Sequence, residues 1–153
     1  MVSQILFSHK SDEHITPQGL YDELNAQYNF ELDPATTEDN VLGTKYFYTK
    51  SNDGLNQSWE NVNTFINPPY SETAKWVKKA HDQFVINSKS NSELAVVLLV
   101  ASRTDTKWFH EIVLEAVFCR YCKIKFLKGR LKFRGQRDSA PFPSMVVTFK
   151  HIR

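Results

Sequence analysis

Residues 62–71 read Val62-Asn63-Thr64-Phe65-Ile66-Asn67-Pro68-Pro69-Tyr70-Ser71, a short apolar run that stops at Asn-Pro-Pro-Tyr. Phe65 and Ile66 suit a buried strand. Two successive prolines lack N–H donors and hold φ near roughly −65°, so they cannot extend it. A stiff, donor-free corner therefore follows the strand. Asn67 offers a side-chain carbonyl, Pro68 and Pro69 offer backbone carbonyls with little freedom to swing, and Tyr70 adds a flat ring. The corner is thus a set of hydrogen-bond acceptors beside a stacking surface. Such a tetrapeptide also arises by chance, and as a docking signal in flexible tails. The strand-like run before it and the helical spacing of Trp76, Val77, Ala80 and Phe84 after it argue against a tail.

The chemistry that wants this arrangement is alkylation of a planar exocyclic amine. In adenine the amino lone pair is delocalised into the ring, which makes the nitrogen a poor nucleophile. Two carbonyls accepting its N–H bonds would draw it toward tetrahedral geometry and stabilise the positive charge that develops as a methyl group arrives. That stabilisation is larger in the transition state than before it, as catalysis requires. Tyr70 would hold the base by stacking, and a base inside a duplex would first have to be flipped out.

At 153 residues and 41% hydrophobic, the chain is expected to form one domain over residues 1–153, with residues 1–13 flexible because they show no clear period. The longest apolar stretch, residues 94–101, falls well short of the ~20 residues of a membrane span. The first ten residues lack the apolar core of a signal peptide. The expected setting is the cytoplasm, with no membrane partner. Cys119 and Cys122 stand in a Cys-x-x-Cys spacing without a second ligand pair, so ordinary reduced thiols are expected and no metal.

The net charge of +2 is unevenly placed. Residues 1–100 carry seven Lys/Arg against thirteen Asp/Glu, a net of −6; residues 101–153 carry twelve against four, a net of +8. Between Arg120 and Arg137 six more cations (Lys123, Lys125, Lys128, Arg130, Lys132, Arg134) occur with no acid among them, interleaved with Tyr121, Phe126 and Phe133. The stretch fits phosphate contacts with stacking residues nearby. It also fits the solvated side of a sheet whose apolar side is Ile124, Phe126, Leu131 and Phe133.

Thr16-Pro17 reads as a helix start, Thr16 as cap and proline at the first helical position. Leu20, Tyr21, Leu24 and Tyr28 form the apolar face of that helix. Asn29 to Ala35 reads as a short strand ending at Asp33-Pro34, a carboxylate placed where open α/β sheets bind ligands. No Gly-x-Gly-x-x-Gly follows. After the corner, Ser71 or Thr73 is expected to cap a helix running to about Phe84, with a polar loop over residues 87–92. Residues 94–100 suit the centre of a sheet covered on both faces. Residues 102–106 form a polar loop, and Trp108, Phe109, Ile112, Val113, Ala116 and Val117 mark the next helix. Strands near residues 123–127, 131–134 and 145–150 would complete an α/β sandwich.

Taken together, these pieces resemble the phage-type DNA adenine-N6 methyltransferases, a Dam-like, S-adenosylmethionine-dependent group. The resemblance covers residues 16–149 in collinear order. It rests on Thr16-Pro17, Phe30-Glu31-Leu32-Asp33, Asp53-Gly54-Leu55 with Trp59, Asn67-Pro68-Pro69-Tyr70-Ser71, Arg103-Thr104-Asp105-Thr106-Lys107-Trp108-Phe109, Gly129-Arg130-Leu131-Lys132-Phe133 and Pro141-Phe142-Pro143-Ser144. The family implies a Rossmann-like sandwich, a mostly parallel central sheet with helices on both faces. It implies that Thr16, Pro17, Asp33, Pro34, Asp53, Leu55 and Asn67 surround the methyl donor, and that Asn67, Pro68, Pro69 and Tyr70 handle the adenine. Ser71, Arg103, Lys128, Arg130, Lys132 and Arg134 would meet the DNA, with Asp105 and Trp108 along the same sheet edge. The sulfonium of S-adenosylmethionine already carries an activated methyl group, so no metal is implied.

The sequence departs from larger adenine methyltransferases in carrying Asp33-Pro34-Ala35-Thr36-Thr37-Glu38 where a glycine-rich loop is usual. It also has no length for a separate recognition domain, so the expectation is either short or relaxed specificity or a second subunit, a homodimer. Two other readings share these features: the same chemistry on an RNA base or a protein glutamine, and an inactive nucleic-acid-binding phage modulator that keeps the fold.

Overall fold

The computed structural model describes residues 14–153, so the flexibility expected for residues 1–13 lies outside the described residues. In chain order come helix α1 (Gln18–Tyr28), strands β1 (Leu32–Asp33), β2 (Tyr46–Phe47) and β3 (Thr64–Ile66), and helix α2 (Thr73–Ser90). Strand β4 (Val96–Ala101) follows, then a π-helical segment Phe109–Leu114 that continues into α3 (Glu115–Phe118), and strands β5 (Cys122–Phe126) and β6 (Ser144–Phe149). All six strands join one sheet in the order β2-β1-β3-β4-β6-β5.

Every residue of β4 is buried, as a strand that is apolar on both sides must be. Val96, Leu98 and Val100 face α2 and α3 with Ile66, Val77, Val113 and Val147. Ala95, Val97 and Leu99 face α1 with Phe65, Tyr21, Leu24 and Phe133. Helices therefore cover both faces, and the period-2 alternation of β3, β4 and β6 divides the core into two layers.

The sheet is mixed. β2-β1, β1-β3 and β3-β4 pair in parallel, whereas β6 runs antiparallel to both β4 and β5. The β4-β6 ladder is the longest, from Val96 opposite Phe149 to Ala101 opposite Ser144. The expectation of a mostly parallel sheet is thus met only on the β2-to-β4 side.

Several local expectations change. Residues 131–134 form no strand, and only Arg134 makes an isolated antiparallel bridge, to Ile15. Phe133 explains this: it turns into the core at 2% exposure, so the segment lies over the sheet face and not at its edge. The second helix runs past Phe84 to Ser90, and neither Ser71 nor Thr73 caps it by side chain; Glu72 is the boundary residue. Asn87, assigned to a loop on polarity, is a buried helix residue. Finally, Thr16 is not the cap of α1, which starts at Gln18 with Pro17 as the boundary and no side-chain cap bond.

Candidate active site

The chain leaves β1 for β2 on one side and then crosses to β3 on the other. Open α/β sheets bind ligands at such a switch point, beyond the carboxyl ends of the strands. Asp33 ends β1 and Asn67 directly follows β3, so the two stand at the carboxyl ends of the neighbouring strands on either side of this switch point.

Asp33 is 4% exposed, and its Oδ1 accepts the Ala35 N–H at 3.2 Å. Burial pushes its carboxyl up to about 7, with the Ala35 bond pulling the other way. Tyr21 of α1 lies close enough to feel it: burial first, then the charges of Asp33 and Asp22, push the phenol up to about 12. A buried carboxylate with so little solvation is a site for a cation.

Beside Asp33, Pro34 meets the 3-10 turn Gly54–Asn56. A Cβ on Gly54 would lie 2.0 Å from the Pro34 carbonyl oxygen, so only glycine fits. Asp53 holds a left-handed conformation (φ 56°) and is exposed, its carboxylate accepting from the Asn56 side chain. Leu55 packs against the α2-side core. The turn is anchored from behind by Trp59, whose indole N–H donates to Gly54 O at 2.9 Å and whose ring stacks on Trp76 at 6.0 Å. Gln83 of α2 accepts the Trp59 N–H, while Asn87 donates to Trp59 O at 3.2 Å and accepts the Asn61 N–H at 3.0 Å. Two polar side chains on one helix thus hold the loop that places Asp53 and Leu55.

At the corner, the Asn67 side-chain nitrogen donates to the His14 carbonyl and to the Thr16 hydroxyl, the latter at 3.0 Å. The Pro17 carbonyl accepts the Tyr21 N–H at 3.1 Å, starting α1. Pro68 is buried, and Pro69 begins the turn by accepting the Glu72 N–H at 3.0 Å. Thr73 donates its hydroxyl to Tyr70 O at 3.0 Å, joining corner to helix. The Tyr70 ring packs edge-on against His14 (4.6 Å), Phe142 (4.8 Å) and Phe133 (6.1 Å). Burial raises the Tyr70 phenol well above the usual tyrosine range, so it is neutral at any working pH. Among the described residues, buried Asn67 Oδ1 and Tyr70 Oη have no hydrogen-bond partner. These two atoms point to a polar ligand.

Residues 127–143 link β5 to β6 and lie over the α1 face, with Leu127, Leu131, Phe133, Ala140 and Phe142 packed inward. Lys128, Arg130 and Lys132 alternate with these apolar residues and are exposed. Arg134 is also exposed, but its backbone N–H donates to Ile15 O at 3.0 Å and its guanidinium to the Gln18 side chain at 3.1 Å, tying the loop to the start of α1. Lys123 and Lys125 belong elsewhere: one lies 5.8 Å over the Tyr28 ring and the other 3.4 Å from Glu23, so both serve the β5–α1 contact. Ser71, in the 3-10 turn Tyr70–Glu72, and Arg103, in the loop after β4, are both exposed. Trp108, expected along the sheet edge, is 8% exposed and part of the core.

The structure therefore gathers Thr16, Asn67 and Tyr70 in one cluster and Asp33, Pro34, Asp53 and Leu55 in another, at the carboxyl ends of neighbouring strands. His14 and the enclosure of Tyr70 by Phe142 were not legible in the sequence; one scattered histidine carries no signal of its own. Cys119 is exposed and Cys122 buried, both as free thiols, and burial pushes the Cys122 thiol up to about 12. Among the described residues no three His, Cys, Asp or Glu side chains gather as a metal site, and no helix is long and apolar enough to cross a membrane.

Residues 4–153 match the family DNA N-6-adenine-methyltransferase (Dam). A DNA N-6-adenine-methyltransferase of Haemophilus phage HP1 is 29% identical over 148 residues, covering 92% of this chain and 81% of that protein. A DNA N-6-adenine-methyltransferase of Escherichia phage T1 is 32% identical over 98 residues, 63% of this chain but only 38% of the relative. No solved structure matches the chain. With the family match spanning nearly the whole sequence, the protein belongs to the phage-type Dam family of DNA N-6-adenine-methyltransferases.

Proposed function

We propose that the protein methylates the N6 amino group of adenine in DNA with S-adenosylmethionine as donor, on a Rossmann-like sandwich, and that the Asn67–Tyr70 corner is where the amine reacts. The observation that carries this reading is the buried Asn67 Oδ1, without a hydrogen-bond partner among the described residues, next to the donor-free Pro68-Pro69 backbone and the Tyr70 ring.

The residues present suit the donor. The buried Asp33 carboxylate provides the counter-charge for an α-ammonium group, and the turn held at Gly54 sets Asp53 and Leu55 beside it for the nucleoside end. When bound, the donor supplies an activated methyl group on a sulfonium that departs as a neutral thioether.

Asn67 Oδ1 and the Pro68 carbonyl accept the two amine N–H bonds, and their dipoles stabilise the positive charge that grows on nitrogen. Tyr70 holds the base face, its hydroxyl kept neutral by burial. Lys128, Arg130 and Lys132 contact the backbone phosphates beside the flipped nucleotide, on the loop whose apolar residues enclose Tyr70.

The test is a label-transfer assay with tritiated S-adenosylmethionine on parallel double-stranded DNA, single-stranded DNA and RNA, followed by nucleoside analysis. N6-methyladenine in DNA is the expected product. Label on RNA or protein alone, or donor binding without transfer to DNA, overturns it.

A further inference from the structure

A carboxamide can be turned end for end with little change of shape, and only one orientation of Asn67 offers an oxygen to an incoming amine. Two oxygen atoms lie against one end of this group: the His14 carbonyl and the Thr16 hydroxyl. A carbonyl can only accept, so the nitrogen must face it; the opposite orientation would set two acceptors against each other. The Thr16 hydroxyl takes the second amide hydrogen. Both N–H bonds are then engaged, and Oδ1 is turned the other way, buried and without a partner among the described residues.

Thr16 has no competing task in the helix it precedes, because α1 begins at Gln18 without any side-chain cap bond. The segment that carries Thr16 is itself fixed at three points. The Pro17 carbonyl enters α1 through Tyr21, the Ile15 carbonyl accepts the Arg134 N–H, and the His14 ring packs 4.8 Å from Phe133 and 4.6 Å from Tyr70.

We infer that Thr16 is a positioning residue for methyl transfer: the His14 carbonyl fixes which end of the Asn67 carboxamide faces away from it, and the Thr16 hydroxyl, by taking the second amide hydrogen, holds the plane of that amide with its oxygen toward the substrate amine. This rests on the reading of Asn67 as the acceptor of that amine. It gives Thr16 a different part from the donor contact implied by family resemblance. A donor contact would set donor affinity. A hold on the plane of Asn67 sets the rate of transfer, since an amide free to swing about its His14 contact carries its oxygen out of line with the amine in the transition state.

Thr16→Val keeps the shape and removes the acceptor, whereas Thr16→Ser keeps the acceptor. The expected result is a fall in kcat of about 10-fold or more for Thr16→Val, with the donor Kd and the KM for DNA within roughly 3-fold of the parent. Thr16→Ser regains most of the loss. A Thr16→Val enzyme with an unchanged kcat and a donor Kd weakened about 10-fold overturns the inference in favour of a donor contact. Equal loss in both variants, tracking a lowered melting temperature, overturns it in favour of packing alone. Asn67→Ala is measured alongside. If it is as active as the parent, the reading of Asn67 itself fails. If it is inactive while Thr16→Val is normal, only the positioning role does.

Discussion

The carbonyl oxygen of Pro34 lies where a side chain on Gly54 would have to begin, 2.0 Å from an ideal Cβ. The close approach joins the end of β1 to the Asp53 turn and fixes the spacing between the Asp33 and Asp53 segments. Neither residue can be displaced alone, because Trp59 holds Gly54 from behind through its indole N–H.

Gly54→Ala is therefore expected to destabilise the fold by about 1–3 kcal/mol, the usual cost of overpacking a tight site, and to weaken donor binding more than DNA binding. Chemical denaturation with donor titration checks both. A variant as stable as the parent would mean that the Pro34 loop yields, and that the close approach is not required.

Asn67→Ala should lower turnover by about 100-fold or more, the scale of losing one donor or acceptor aimed at developing charge, while donor affinity changes little. Single-turnover transfer and equilibrium donor binding separate the two effects. Loss of donor binding with normal transfer at saturation would reverse the roles given to Asn67 and Asp33.

Asp33 makes stability depend on pH in an unusual direction. Its carboxyl rises from 3.8 to about 7 on burial, so the folded chain holds this proton more tightly than the unfolded one. Its contribution is fully favourable below pH 3.8, declines as pH rises toward about 7, and is level above that. Melting temperatures of the ligand-free parent minus those of Asp33→Asn should therefore fall across this window. Donor affinity of the parent should rise over the same window as the carboxylate forms. A flat difference curve would show that another group titrates.

Replacing Lys128, Arg130 and Lys132 together by alanine should weaken DNA binding and flatten its salt dependence, by about 0.9 in the log–log slope for each phosphate no longer neutralised. Donor binding should not change. Fluorescence anisotropy over a salt series measures it. A slope equal to that of the parent would move the phosphate-neutralising role to cations outside this loop, such as Arg103.

How much of the fold and site is legible in the sequence follows from which interactions are local. The Asn-Pro-Pro-Tyr corner and the buried β4 are legible, because prolines stop a strand wherever they occur and an unbroken apolar run has few places to go. Thr16 reads as a cap because Ser or Thr before proline suits a helix start, whereas its actual partner, Asn67, is 51 residues away. Asn87 reads as loop for the same reason: its polarity is satisfied by Trp59 and Asn61 across the loop, which no periodicity shows. Residues 131–134 have the alternation of a strand, but Phe133 finds its burial beside Tyr70 and not in a ladder. The antiparallel β6 between β4 and β5 is equally hidden, since hydrophobic pattern gives a strand's faces and not its neighbours.

The isolated bridge between Ile15 and Arg134 joins the two segments to which the proposed function gives separate tasks. On one side it continues into Thr16 and the corner; on the other it continues into the loop bearing Lys128, Arg130 and Lys132. A shift of this loop on DNA binding is expected to reach the Thr16 segment through the bridge, which predicts that the two substrates are thermodynamically coupled. Linkage is reciprocal, so the factor by which DNA changes donor affinity must equal the factor by which donor changes DNA affinity. Donor titrations with and without DNA would measure that factor, and a value of one would show that the bridge transmits nothing.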